Sequence, residues 1–348
     1  MEPLAQPRAG GAPHGQPMPA AEACSERKAA RLTELAFWRA YLTTTRPYLF
    51  PISALAGLAG MSLAPVTASW RWAGALVVFS LSYGLGQALT DCFQTDTDRL
   101  SAPDRPLVDG WIASRDVLVL SLGALLTGAL VLTVLNPWSL LVCLAAVGGL
   151  LVYTPLKRRW WAGPVANAWV VALLPVTGWL VASGGRLIDL WEEPRVLAAA
   201  LMSFAAYGNF VLAGYLKDVR ADRATGYQTF PVRFGWRRTV WASDAWALAA
   251  VALGAWTVHR CGGTSGSGYV PVIPFVGAAI LSLYAQVNLH RTHREEDVHR
   301  PLINVVRVLL LLEAAVVCAA TPGWWPLAVG LDGAFELLVR VRPDRGQV

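Results

Sequence analysis

Long stretches without a single charged side chain alternate along the chain with short polar turns. Residues 48–70, 72–90, 160–185, 196–216 and 261–289 contain no Asp, Glu, Lys or Arg. The run 117–156 is also free of charge, but it is too long for one crossing, and Asn136-Pro137-Trp138 divides it into two helices. A membrane span takes ~20 mostly apolar residues, so these runs predict seven crossings. Residues 239–258, with Asp244 alone, and 301–320, with Arg307 and Glu313, predict two more. Only helices and closed barrels satisfy the backbone in lipid, and barrel strands would be ~10-residue alternating segments. The expected fold class is all-α and polytopic, a bundle of nine membrane-spanning helices.

Composition agrees: of 348 residues, 55% are hydrophobic and 15% charged, against about 25% charged in a soluble domain. The net charge of +6 raises a nucleic-acid partner, but its distribution has a simpler cause. Of the 29 Lys and Arg, 21 fall in the N-terminal segment and the loops after spans two, four, six and eight, and four in the intervening loops. This positive-inside asymmetry places the N-terminus and those loops in the cytoplasm, with no nucleic acid required. The expected setting is membrane lipid, in the bacterial inner membrane.

Three units are expected. Residues 1–35 are a disordered tail, with no apolar core of a secretory signal near the start. Residues 36–322 form the transmembrane domain. Residues 323–348 form an interfacial amphipathic helix over 324–339 and a C-terminal tail, with a tenth crossing as the alternative. The five cysteines are scattered and lack metal-ligand spacing.

Two acidic clusters end spans on the cytoplasmic face. Span two runs into TDCFQTDTDRLSAPDRPL at 90–107, and span six into YLKDVRADRATGYQTFPVRFG at 215–235. If the second helix continues, Asp91 and Asp98 share a face with Gln94 between them and Asp96 nearby. Asp218 and Asp222, four apart, share a face too. Carboxylates at a span end are costly if unpaired. A hard divalent ion offsets that cost, and Mg²⁺ typically bridges one or two carboxylates to phosphates. The alternative is that these acids cap helices and pair with neighbouring arginines. Arg105, Lys217 and the segment YTPLKRR at 153–159 add cations on the same side, suited to phosphate oxygens. Lys157 has no acid in its own loop, which leaves a diphosphate as the anion in reach.

The order of these features resembles the UbiA-type intramembrane prenyltransferase superfamily across most of 46–320. Arg46-Pro47 opens span one, and the first Asp-rich motif carries a downstream Arg-Pro-Leu. Tyr153 and Lys157 form a Tyr-x-x-x-Lys pair, GPVAN with Asn167 opens span five, and Asp218 and Asp222 form Asp-x-x-x-Asp. The resemblance implies a central cavity open to the cytoplasm, and Mg²⁺-dependent transfer of a prenyl group from its diphosphate to a lipophilic, aromatic acceptor. It implies metal binding by Asp91, Asp98, Asp218 and Asp222, with Gln94 and Asp96 as further candidates. Diphosphate binding falls to Arg46, Arg105, Lys157, Asn167 and Lys217, and Tyr153 and Lys157 act in catalysis. Thr90 and Gln94 stand where the family usually has Asn and Asp. That departure keeps a terpene cyclase open as an alternative, ahead of a transporter. Tyr83, Trp169 and Tyr207 are candidates to face an allylic cation, with core packing as the simpler role. His290, His293 and His299 read as part of a solvated loop rather than a metal site.

Overall fold

The computed structural model describes residues 29–65, 69–265 and 269–341, and all regular structure in them is helical. The chain opens with α1 (Leu35–Thr45) and α2 (Phe50–Ser62), followed by α3 (Ser69–Asp91) and the short α4 (Thr95–Ser101). Next come α5 (Ser114–Leu135), α6 (Ser139–Arg159), α7 (Gly163–Ser183) and α8 (Pro194–Gly214). Two short helices, α9 (Val219–Ala224) and α10 (Phe230–Phe234), precede α11 (Trp236–Ser265) and α12 (Val272–Arg291). The chain ends in α13 (His299–Ala320) and α14 (Trp325–Val341). Most of the expected N-terminal tail, and the C-terminal tail from 342, lie outside the described residues. Residues 29–34 are not detached, since the Ala30 N–H donates to the Trp111 carbonyl at 2.9 Å.

Among the described residues, seven helices are long and apolar enough to cross a membrane. They are α3, α5, α6, α7, α8, α12 and α13, and they make the chain an integral membrane protein. The other two expected spans, 48–70 and 239–258, do not meet that measure, for separate reasons. The first is interrupted: its first two residues belong to the turn Pro47–Leu49, and α2 has only 13 residues, 12 of them buried. The second is a 30-residue helix, α11, whose Arg237, Arg238, Asp244 and Arg260 dilute its hydropathy.

Lipid tails are as apolar as leucine, so close backbone approach and polar bonds hold such helices together. Between α2 and α7 the approach is extreme: a Cβ on Gly178 would lie 2.1 Å from the Gly57 carbonyl oxygen. Ser53 joins α2 to α3 by donating to the Phe79 carbonyl at 2.5 Å and accepting from the Tyr83 N–H at 3.1 Å. Ser203 on α8 donates to Glu313 on α13 at 2.5 Å, and Ser243 on α11 donates to Gln286 on α12 at 3.0 Å. Of the seven long apolar helices, α8 and α13 are the most buried, each with 78% of its apolar window inside, against 22% for α5.

Arg307 of α13, left without a partner by spacing alone, forms a bidentate pair with Glu336 of α14 at 2.6 and 2.8 Å. Trp324 sits edge-on against Trp72, and the Thr321 hydroxyl donates to the Ser62 carbonyl at the far end of α2. From there α14 packs on α13, on α2 and on the turn Pro47–Leu49 at the other end of α2. It lies along the bundle instead of standing off it.

Candidate active site

Both acidic motifs fold back as helix breaks rather than continuous faces. After Asp91 the α3 helix ends in a turn, and α4 begins at Thr95 with Asp98 inside it. Asp218 likewise precedes α9, and Asp222 lies within it. The Thr97 and Thr225 hydroxyls, 2.9 Å apart, tie the two short helices to each other. Segments about 120 residues apart in sequence thereby meet at one end of the bundle.

Below them lies a cavity of about 840 Å³, with a polar end and an apolar limb. Asp91, Gln94, Asp98, Arg105, Tyr153, Lys157, Asn167, Lys217 and Asp218 all line it, as does Arg46. Ten of the twelve expected site residues therefore converge on one space. Four cations face three carboxylates there, so the end is tuned for an anionic ligand.

The charges are mutually braced. Arg46 holds Asp91 Oδ2 at 2.7 Å, and Gln87 Nε2 donates to Asp91 Oδ1 at 2.8 Å. Arg46 does so from a strained backbone, with φ of 51°, the one non-glycine positive φ among the described residues. Such strain persists where the surroundings over-determine it, and it clusters at functional sites. Arg105 pairs with Asp98 at 2.6 Å, while its Nε is buried without a hydrogen-bond partner. Burial pushes the Asp98 carboxyl above its ordinary range, and Arg105 pulls it back. Lys157, 5% exposed, lies 3.4 Å from Asp222 Oδ1 and donates to Gln94 Oε1 at 3.1 Å. Burial raises the Asp222 carboxyl to about 6 despite the pull of Lys157.

Three expectations are corrected. Lys157 is not in a loop lacking acids: α6 continues through Arg159 and carries the ammonium inward to Asp222, 65 residues away in sequence. Asp96 does not turn inward when the helix breaks. It faces out, bound by Arg158 at 2.9 Å and by the Tyr227 hydroxyl at 3.2 Å. Asp222 is wholly buried behind Lys157 and the Thr229 hydroxyl, at 3.1 Å, and is absent from the cavity lining. Among the described residues no group of three His, Cys, Asp or Glu is close enough to enclose a metal. His290 lies within α12 and pairs with Asp244 at 2.7 Å.

The aromatic candidates divide. Tyr83 and Tyr207 line the cavity, their hydroxyls 3.3 Å apart, whereas Trp169 is 46% exposed and outside the lining. Residues that the sequence motifs did not single out are Gln87 and Tyr215. Gln87 is one helical turn before Asp91, a detectable i,i+4 relation. Tyr215 bonds the Tyr153 hydroxyl at 2.9 Å and presents its ring to the Lys157 ammonium.

The sequence pattern of the UbiA prenyltransferase family matches residues 50–310. The chain belongs to the UbiA prenyltransferase family. It is 33% identical over 179 residues to a digeranylgeranylglyceryl phosphate synthase of Natronomonas pharaonis, covering 51% of this chain and 62% of that relative. It is 24% identical over 286 residues to the enzyme of that name in Thermococcus kodakarensis, covering 81% of this chain and 98% of the relative. Among solved structures it resembles a UbiA homolog from Archaeoglobus fulgidus bound to GPP and Mg²⁺. The TM-score is 0.58 at 18% identity, covering 80% of this chain and 99% of the other. That likeness shows the shared fold.

Proposed function

We propose that this UbiA-family prenyltransferase moves a prenyl group from an isoprenoid diphosphate to a lipophilic acceptor, with Mg²⁺ as cofactor. The observation that carries it is the convergence of two Asp motifs and four cations on the polar end of one apolar cavity. The donor set suits a hard ion, being carboxylate oxygens, and Asp91, Asp98 and Asp218 reach the cavity. These three would share the metal with oxygens of the diphosphate, since among the described residues no three acids lie close enough to enclose an ion alone. Their bracing by Arg46 and Arg105 fits an exchange of partners. With the carboxylates engaged elsewhere, Arg46 and Arg105 would be free to donate to phosphate oxygens, which would also satisfy the orphaned Arg105 Nε.

Mg²⁺ held there would supply neutralising charge to the diphosphate, which would favour heterolysis of its C1–O bond. Arg46, Arg105 and Lys217 bind and orient the leaving group, with Asn167 on the same wall. Lys157 is placed to stabilise charge as it develops on that group, a contact of the kind that lowers the barrier itself. Asp222 keeps the Lys157 ammonium in place and is a positioning residue. Tyr153 and Tyr215, joined by their hydroxyls, stand beside the same end. The apolar limb takes the prenyl tail and keeps water from the allylic cation.

The charge asymmetry of the loops supports a cytoplasmic N-terminus and nine crossings, counting α2 with the turn before it and α11. The packing of α14 along α2 and α13 supports a tenth, which returns Arg340 to the basic side.

The test is a product screen by mass spectrometry. Purified protein and Mg²⁺ are crossed with C10 to C20 diphosphates and a panel of phenols, quinolones, naphthoates and glyceryl-phosphate lipids. An alkylated acceptor is the expected product. A hydrocarbon or terpenol formed without acceptor would show a cyclase instead.

A further inference from the structure

Helix α9 begins without help from the residue best placed to start it. Asp218 stands just before Val219, and an aspartate there ordinarily turns its carboxylate onto the second or third N–H of the helix. Asp218 makes no such bond. Its backbone, with φ of −116° and ψ of 14°, is also far from the extended conformation that this contact uses. Its carbonyl accepts the Asp222 N–H at 2.8 Å and closes the first turn, while the residue itself borders the cavity.

The N–H that Asp218 leaves is met from elsewhere. Glu295 lies 75 residues beyond Arg220, in the connection between α12 and α13, and its Oε1 accepts the Arg220 N–H at 3.1 Å. Its Oε2 takes Arg220 Nε at 3.2 Å, and Glu296 pairs with the same guanidinium. The two acids differ in setting: the Glu295 side chain is 16% exposed and that of Glu296 63%. An exposed ion pair contributes little. An acid on the first N–H groups of a helix instead satisfies a donor that has no partner within the helix.

The turn that carries Glu295 is itself fixed to the bundle. The Glu295 carbonyl accepts from the N–H of Val298, which is wholly buried. One helical turn later Leu302, also buried, lines the cavity. The connection between α12 and α13 is thus joined to the site twice, through Leu302 and through Glu295.

We propose that Glu295 is a positioning residue, which caps α9 from outside and so leaves the Asp218 carboxylate free to serve the cavity. This rests on the prenyl-transfer reading for what Asp218 holds, and it adds to the site a segment that neither Asp motif contains. Without Glu295 the turn either frays or passes the Arg220 N–H to Asp218, and both withdraw that carboxylate.

The test has two arms. The first follows diphosphate release from a prenyl diphosphate as Mg²⁺ is titrated. Glu295→Ala should raise the half-saturating Mg²⁺ by at least ~10-fold, and Glu295→Gln, whose amide oxygen still accepts, should stay within ~3-fold of wild type. Arg220→Ala and Glu296→Ala keep the backbone bond and should also stay within ~3-fold. The second arm needs neither metal nor turnover. In the Asp218→Ala background, adding Glu295→Ala should speed amide exchange across 219–224 by at least ~10-fold, because no acid is left for the Arg220 N–H. If Glu295→Ala does not fold, Glu295→Asp, shortened by one methylene, carries both comparisons. An Arg220→Ala variant as damaged as Glu295→Ala, an unchanged Mg²⁺ requirement, or unchanged exchange overturns the proposal and leaves prenyl transfer standing. No turnover by wild type would remove the prenyl-transfer reading, while the exchange arm would still decide whether Glu295 caps α9.

Discussion

Asp98 and Asp222 occupy similar places in two short helices that follow membrane spans, yet they have different surroundings. Asp98 borders the cavity with an arginine at 2.6 Å, so a ligand can compete for both partners. Asp222 is sealed away, held by Lys157 and Thr229, with no route to a ligand except through the lysine. The two motifs thus look alike in sequence and divide the work in space. One presents two carboxylates to the cavity, while the other presents one, Asp218, and buries its second against Lys157.

Substitutions should grade along that division. Asp91→Asn, Asp98→Asn and Asp218→Asn, which keep shape and remove charge, should each lower turnover by at least ~1000-fold, or about 4 kcal/mol. Their unfolding transitions should remain cooperative, since at 91 and 98 the amide oxygen still accepts from Arg46, Gln87 or Arg105. If one of the three keeps near-normal turnover, it belongs with Asp222 as a brace.

Lys157→Ala comes next, with an expected loss of ~100-fold in kcat, about 2.7 kcal/mol, and little change in acceptor KM. Arg159→Ala, two residues along and exposed, should keep near-normal kinetics. Equal effects would reduce Lys157 to a membrane-surface charge. Asp222→Asn should cost ~10-fold and lose most of that cost in the Lys157→Ala background, because residues in contact are not additive. Full additivity would mean that Asp222 acts on the ligand independently. The smallest effect is expected from Gln94→Asp. Gln94 already accepts from Lys157, and an acid there keeps that bond, so kcat/KM should stay within ~3-fold. A complete loss would show that the amide nitrogen has its own task.

The comparison also explains what could be read from the chain before folding. The spans were visible because lipid demands long charge-free helices, and the motifs because carboxylates at membrane depth stand out. Gly-Pro-Val-Ala-Asn and Tyr-x-x-x-Lys were legible as patterns, and Asn167, Tyr153 and Lys157 do border the cavity. What stayed hidden were partnerships made across the bundle. Lys157 finds Asp222, and Arg307 finds Glu336, only because helices distant in sequence pack together. The place of Asp96 was hidden for a related reason. Breaking the helix after Asp91 does free it, but Arg158 and Tyr227 outside the cavity claim it. The shortness of α2 was equally invisible, since residues 48–70 carry no charge and no charged residue marks the end of the helix at Ser62.

The central claim is that both motifs serve one metal-dependent diphosphate site. It is tested most directly by following diphosphate release from a prenyl diphosphate, with acceptor, in protein stripped with EDTA and then titrated with Mg²⁺. Wild type, Asp91→Asn and Asp218→Asn are compared side by side. The expected result is no release in EDTA, full recovery in wild type as Mg²⁺ is restored, and failure to recover in both variants. Release that persists in EDTA, or normal recovery in either variant, would contradict it.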